Sequence, residues 1–149
     1  AYFYWSHRLI HDPRVFRRVH RRHHLSRNPS PFSAYSFDIA EAALAGLFVQ
    51  LWVVVVPTPW PVVGLFVLHQ LVRNTIGHCG YELMPADRNG RPRFDWIVTT
   101  THHDLHHAEP GWNYGLYFTW WDRFMGTEHP EYYARFARVA APGVQDSPR

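Results

Sequence analysis

Only one cysteine, Cys79, occurs in the 149 residues, so no disulfide can close within the chain and a thiolate-rich zinc or iron–sulfur site is excluded. Any metal must be held by nitrogen and oxygen. Lysine is absent, and all 15 basic residues are arginine. The opening AYFYWSHR has no initiator methionine, no basic n-region and no signal-peptide cleavage pattern, and it reads as the start of an N-terminally truncated fragment or a trimmed chain. No flavin or nicotinamide fingerprint and no haem-attachment C-x-x-C-H is present. The mean hydropathy of −0.32 leaves membrane association open, because polar ends dilute the average.

What is there fits one domain: 46% hydrophobic and 17% aromatic residues are enough for a buried core at this length. Six of the arginines lie between Arg8 and Arg22. Such a run suits phosphate, in nucleic acid or in lipid headgroups, or a solvated basic face on the cytoplasmic side of a membrane. A nucleic-acid module is disfavoured, since the arginines interleave with histidines and no recognised binding fold is visible.

Along the chain, residues 2–11 read as the end of a helix. Asp12-Pro13 then supplies an N-cap and a proline at the first helical position, and a second helix is expected from there to about Leu25. The segment 26–36, SRNPSPFSAYS, is a loop, and Asp38 can cap the next helix. Residues 39–56 form an apolar run broken only by Glu41 and Gln50, close to the length that crosses a hydrocarbon core. PTPWP interrupts it, and a second apolar stretch carrying His69, Gln70 and Arg73 comes after the break. The pair predicts an apolar helical hairpin that dips into or crosses the bilayer with prolines at its tip; a buried hairpin in a soluble bundle is the alternative. A polar loop with a turn at Asn89-Gly90 leads into a helical turn at THHDLHH, and YFTWWDRFMGT is expected to be the final, aromatic helix. The expected domain spans 1–139, with a disordered tail over 140–149.

Twelve histidines dominate the chemistry. His7 and His11 are spaced H-x3-H; His20, His23 and His24 are H-x2-H-H, as are His103, His106 and His107, with His102 just before them. Residues three or four apart share a helix face, about 5–6 Å between Cβ atoms, and the third member of each triplet is displaced by about 100°. With His78, nine imidazoles exceed what one tetrahedral zinc uses, and two metal ions are the natural reading. His69 and His129 fit ordinary structural roles. Trp5, Tyr81, Trp112, Tyr114, Trp120 and Trp121 flank the boxes, where they line a lipid channel, sit at a membrane interface or pack beneath the metals.

HRLIH (7–11), HRRHH (20–24), HCGYE (78–82), HHDLHH (102–107), NYG (113–115) and WWDRFMGT (120–127) together resemble the fatty acid hydroxylase/sterol desaturase superfamily of integral-membrane di-metal oxygenases, over about residues 2–127. The resemblance implies an all-α, membrane-associated bundle whose cytosolic histidine cap holds two iron ions. Implied ligands are His7, His11, His20, His23, His24, His78, His103, His106 and His107. Some members have a further histidine where this chain has Glu82, a carboxylate that would coordinate or orient a ligand; Asp104, Asn113 and Asp122 match polar positions near the boxes and suit orienting or structural roles, while His102 is open between a further ligand and a structural residue. The implied chemistry is O2-dependent hydroxylation or desaturation of a lipid (sterol, fatty acyl or related), in a bacterial inner membrane or an ER-type membrane. Iron with imidazole ligands and open positions suits that chemistry. Two electrons must then come from a separate carrier, cytochrome b5-like, a ferredoxin or a reductase. The competing reading puts zinc in the same boxes of a membrane hydrolase or isomerase, with metal-bound water as the reagent. Haem binding or metal storage is disfavoured by the number of clustered ligands.

Overall fold

The computed structural model describes residues 1–140 and is all-helical there, with seven α-helices and no strands among the described residues. The expected tail falls almost wholly outside them. Helix α1, Tyr2–Ile10, is followed by α2, Pro13–Val19, which opens as its sequence dictates: the Asp12 side chain accepts from Arg14 N at 2.9 Å, with Pro13 in the first turn. Contrary to expectation, α2 does not reach Leu25. The Phe16 carbonyl accepts from both His20 N and Arg21 N, which closes the helix, and the chain re-forms as a single 3₁₀ turn, His23–Leu25.

Helices α3, Ile39–Val55, and α4, Trp60–Gly77, make the expected hairpin. Asp38 stands at the N-cap of α3 without bonding the helix; its carboxylate lies 3.9 Å from Arg22. Trp52 Nε1 donates to Thr58 Oγ1, which donates in turn to the Val56 carbonyl, and this pins the proline turn. At 1.5 Å per residue the arms are about 26–27 Å long, under the roughly 30 Å of a hydrocarbon core. No helix among the described residues is long and apolar enough to cross a membrane.

After the turn at Asn89-Gly90, where Asp87 Oδ1 accepts from the backbone of Asn89 and Arg91, the chain enters α5, Thr100–Ala108. Thr99 caps α5 by accepting from His102 N at 3.1 Å. The expected final aromatic helix is the short α6, Trp120–Phe124, and it is not final: α7, Tyr132–Ala140, comes after it. Its Tyr132 and Phe136 are fully buried against Leu105 of α5. Beyond that knot the interior is polar, because eight of the nine candidate ligands are buried. The large apolar residues lie outside, on the hairpin, where Val54 is 84% and Trp60 80% exposed.

Candidate metal centre

Four segments converge their imidazoles on two points. His7, His11, His20, His24 and His106 form one group and His23, His78, His103 and His107 the other, with the ligand atoms of each group within 4.8 Å of one another. In α5 the partition follows from helical geometry: the outer pair of the H-x2-H-H triplet, i and i+4, is about 40° apart, and the middle residue flanks the first on its other side, about 100° from the last. His103 and His107 accordingly go to the second group and His106 to the first. The first triplet lies past the end of α2, and the turn between His20 and the 3₁₀ segment sends His20 and His24 to the first group and His23 to the second. Residues adjacent in sequence thus address different points.

Backbone carbonyls decide which ring nitrogen faces inward. His7 Nδ1–H donates to the Tyr114 carbonyl (2.8 Å), His78 to Asn74 (2.8 Å), His106 to Trp112 (2.7 Å) and His107 to Ser26 (3.1 Å). A carbonyl can only accept, so each of these rings turns a bare Nε2 lone pair inward. His20 Nδ1 meets the Glu41 carboxylate at 2.8 Å. Consequently the Nε2 atoms of His78 and His107 face each other at 3.2 Å with no proton between them, and so do those of His7 and His20 at 3.0 Å when the Glu41 carboxylate is ionised. His23 and His103 Nε2 also stand 3.2 Å from His78 Nε2. Buried lone pairs this close repel unless a cation sits among them. Two nitrogens bound at about 2.1 Å stand about 3.0 Å apart at a right angle and about 3.4 Å apart at the tetrahedral angle. The 3.0 Å spacing matches the right-angled case and the 3.2 Å spacings fall midway between the two.

Protons are poor candidates for that cation. Burial, with the neighbouring imidazoles adding to it, lowers the pKa of His7 to about 4, of His24 to about 3 and of His107 to about 2. His103 and His106 are held well below the usual range for the same reasons. The groups are neutral donors at physiological pH, as a metal requires. Buried nitrogens without a hydrogen-bond partner, His11 Nε2, His24 Nε2 and His106 Nε2, fit the same donor set.

The remaining polar residues expected near the boxes do not join either group. Glu82 accepts from Thr101 N (2.8 Å), Thr101 Oγ1 (2.7 Å) and Met84 N (2.9 Å), anchoring the first turn of α5 rather than reaching an ion. His102, on the far face of α5, packs edge-on against Tyr132. Asp104 is half-buried outside the groups, and burial with the Glu82 charge pushes its pKa up to about 6. Asn113, at φ 56°, donates to the His102 carbonyl and accepts from His129 N. Asp122 accepts from Tyr114 N and Gly115 N, fixing the turn whose carbonyl holds His7. Gly115 is required there: a Cβ would lie 2.7 Å from Asp122 Oδ2 and 2.8 Å from the Phe118 carbonyl.

Against the first group lies a cavity of about 390 Å³, between α1, the loop after α5 and the hairpin arms. Its wall is mostly apolar, with Phe3, Leu44, Phe48, Phe66 and Leu116, and it includes His7 and His20. Of the six aromatic residues left open between channel, interface and packing, none lines this cavity: Tyr114 packs on His7 and His106, one of those alternatives, Trp5 packs on Trp121, and Tyr81 is 77% exposed. The residue that sequence reasoning passed over is Glu41. The signal was present, since a lone carboxylate near the start of an apolar run marks a functional position by default.

The fatty acid hydroxylase family model matches residues 1–127. The chain is 36% identical over 129 residues to a lathosterol oxidase of Mus musculus, covering 85% of this chain and 41% of that protein. It is 29% identical over 128 residues to methylsterol monooxygenase 1 of Rattus norvegicus (86% and 43%) and 32% identical over 125 residues to a Delta(7)-sterol 5(6)-desaturase of Gibberella zeae (83% and 37%). The chain therefore spans about two fifths of the length of these curated relatives. No solved structure matches it.

Proposed function

The chain belongs to the fatty acid hydroxylase family, and from that premise we propose that it is the histidine-bearing part of a membrane-bound di-iron oxygenase that hydroxylates or desaturates a lipid. The observation that carries the proposal is the facing of the unprotonated Nε2 atoms of His78 and His107 in one group, with the Nε2 atoms of His7 and His20 3.0 Å apart in the other. Each pair calls for a cation, and two groups call for two. The proposed ligands are His7, His11, His20, His24 and His106 at one ion and His23, His78, His103 and His107 at the other, within a functional domain of residues 1–139. Two iron ions held there would pass to O2 the two electrons it needs beyond the two it takes from the lipid, and a separate electron-transfer protein would return that pair to the irons.

The chain's own residues prepare the site for this. Carbonyls of Tyr114, Asn74, Trp112 and Ser26 fix ring orientation before an ion arrives. The apolar cavity gives a lipid a dry path to His7 and His20. The exposed apolar hairpin supports burial in a bilayer from the side that bears the histidines, which we assign to the cytosol. The names of the three relatives, all sterol-modifying oxidoreductases, support a sterol or similar lipid as substrate.

The test is metal analysis of detergent-solubilised protein purified anaerobically from iron-supplemented cells, with a Mössbauer spectrum of the same sample. About two irons per chain as a coupled pair, lost in a His103→Ala/His106→Ala variant, is the expected outcome. Two zincs that persist under iron supplementation, with no iron-dependent turnover, would replace the oxygenase by hydrolytic or isomerase chemistry.

A further inference from the structure

Resting on the two-ion reading, we infer that the two ion sites are inequivalent and that Glu41 is the positioning residue that makes them so, holding His20 in the five-imidazole site that borders the lipid cavity.

The inference starts from what backs each ligand. Among the described residues, four of the nine imidazoles rest their Nδ1–H on neutral backbone carbonyls, and His20 alone rests on a carboxylate. In the four-imidazole group His78 and His107 have carbonyl partners, while Nδ1 of His23 and of His103 has none. An anionic acceptor raises the basicity of the imidazole it holds and stiffens its orientation more than a carbonyl does. The five-imidazole site therefore binds its ion against a negative charge that the other site lacks.

The setting of Glu41 shows what its charge is for. It is 5% exposed, its Oε2 has no hydrogen-bond partner, and its Oε1 touches only His20. A buried carboxylate facing a neutral imidazole is poorly compensated. A cation on the far side of that imidazole supplies the missing compensation, so Glu41, His20 and the ion lie in one line in which the carboxylate faces a positive charge through the ring. Glu41 also shares a helix face with Leu44, Ala45 and Phe48, at i, i+3, i+4 and i+7, and all four line the cavity. One face of α3 thus supplies both the lipid wall and the anion behind the adjacent ligand, which makes the five-imidazole site the one addressed to substrate.

Cobalt(II) titration of the full chain in detergent micelles, under anaerobic conditions, tests this without turnover. Wild type should bind two cobalt ions per chain. Glu41→Gln keeps the shape and an acceptor oxygen but removes the charge, and should weaken one site 10- to 100-fold while leaving the other at its wild-type affinity. His23→Ala should weaken the other site, and the double variant should show both losses. Unchanged affinities in Glu41→Gln, equal weakening of both sites, loss of helix content by circular dichroism in this isosteric variant, or both substitutions acting on the same site would each overturn the inference while the two-ion reading stands. A wild-type chain that binds fewer than two cobalt ions overturns the two-ion reading itself, and this inference with it.

Discussion

Asp122 shows how a residue that touches no candidate ligand still determines the site. Its carboxylate is fully buried and accepts from Tyr114 N at 2.7 Å, Gly115 N at 2.8 Å and Thr127 Oγ1 at 2.9 Å. Burial pushes its pKa up to about 6 although the three donors pull it down, so it is ionised at pH 8. In Asp122→Asn an amide nitrogen replaces one oxygen. Placed at Oδ2 it meets the Gly115 N–H donor to donor; placed at Oδ1 it meets Tyr114 N–H. One backbone N–H is orphaned in either orientation, and the surviving bonds lose their charge assistance. Hydrogen bonds to charged groups contribute about 1.5–3 kcal/mol each, so the expected loss is about 2–3 kcal/mol. For a chain of this size that is roughly 4–12 °C in Tm. The Tyr114 carbonyl also holds His7, so cobalt affinity at the five-imidazole site should fall while the other site keeps its affinity. Thermal unfolding at pH 8 by circular dichroism, paired with cobalt titration, reads both effects. A variant that melts within about 1 °C of wild type and binds both ions normally would refute this account of the NYG turn.

Three further outcomes are expected. Gly115→Ala forces a Cβ against the Asp122 carboxylate and the Phe118 carbonyl, neither free to move, and should cost about 1–3 kcal/mol by denaturant titration; full stability would mean that the turn relaxes. Glu82→Ala removes the acceptor for the first turn of α5 and should cost about 1–2 kcal/mol while two metals per chain are retained. Loss of a metal from that variant would restore Glu82 as a ligand. Val54→Asp, near the hairpin tip, should leave the melting temperature in detergent within the small range of surface changes but weaken partition into lipid vesicles, since a carboxylate in the hydrocarbon costs up to about 2.5–3.5 kcal/mol, the value at the bilayer centre. Unchanged partition would remove the hairpin from the membrane.

The histidine boxes, the proline-tipped hairpin and the cap at Asp12-Pro13 were legible in the sequence because each depends on neighbours within about four residues, where helical periodicity and side-chain chemistry act. Two apparently equivalent H-x2-H-H triplets were also legible as candidate ligands for two ions. The break in α2 at His20 was not, because it follows from a bifurcated closure at the Phe16 carbonyl that no breaker residue announces. Helix α7 escaped notice because its two buried aromatics find their partner, Leu105, only across space. Glu82, Asp104 and Asn113 share the composition of a metal site but not its position. What the tertiary structure alone decided is which imidazoles meet and which nitrogen each presents. The carbonyl that orients His7 lies 107 residues along the chain, the one that orients His107 lies 81 residues away, and the carboxylate behind His20 comes from the hairpin. An imidazole has two nitrogens and no local preference that selects between them, so the choice falls to whichever acceptor the fold brings alongside.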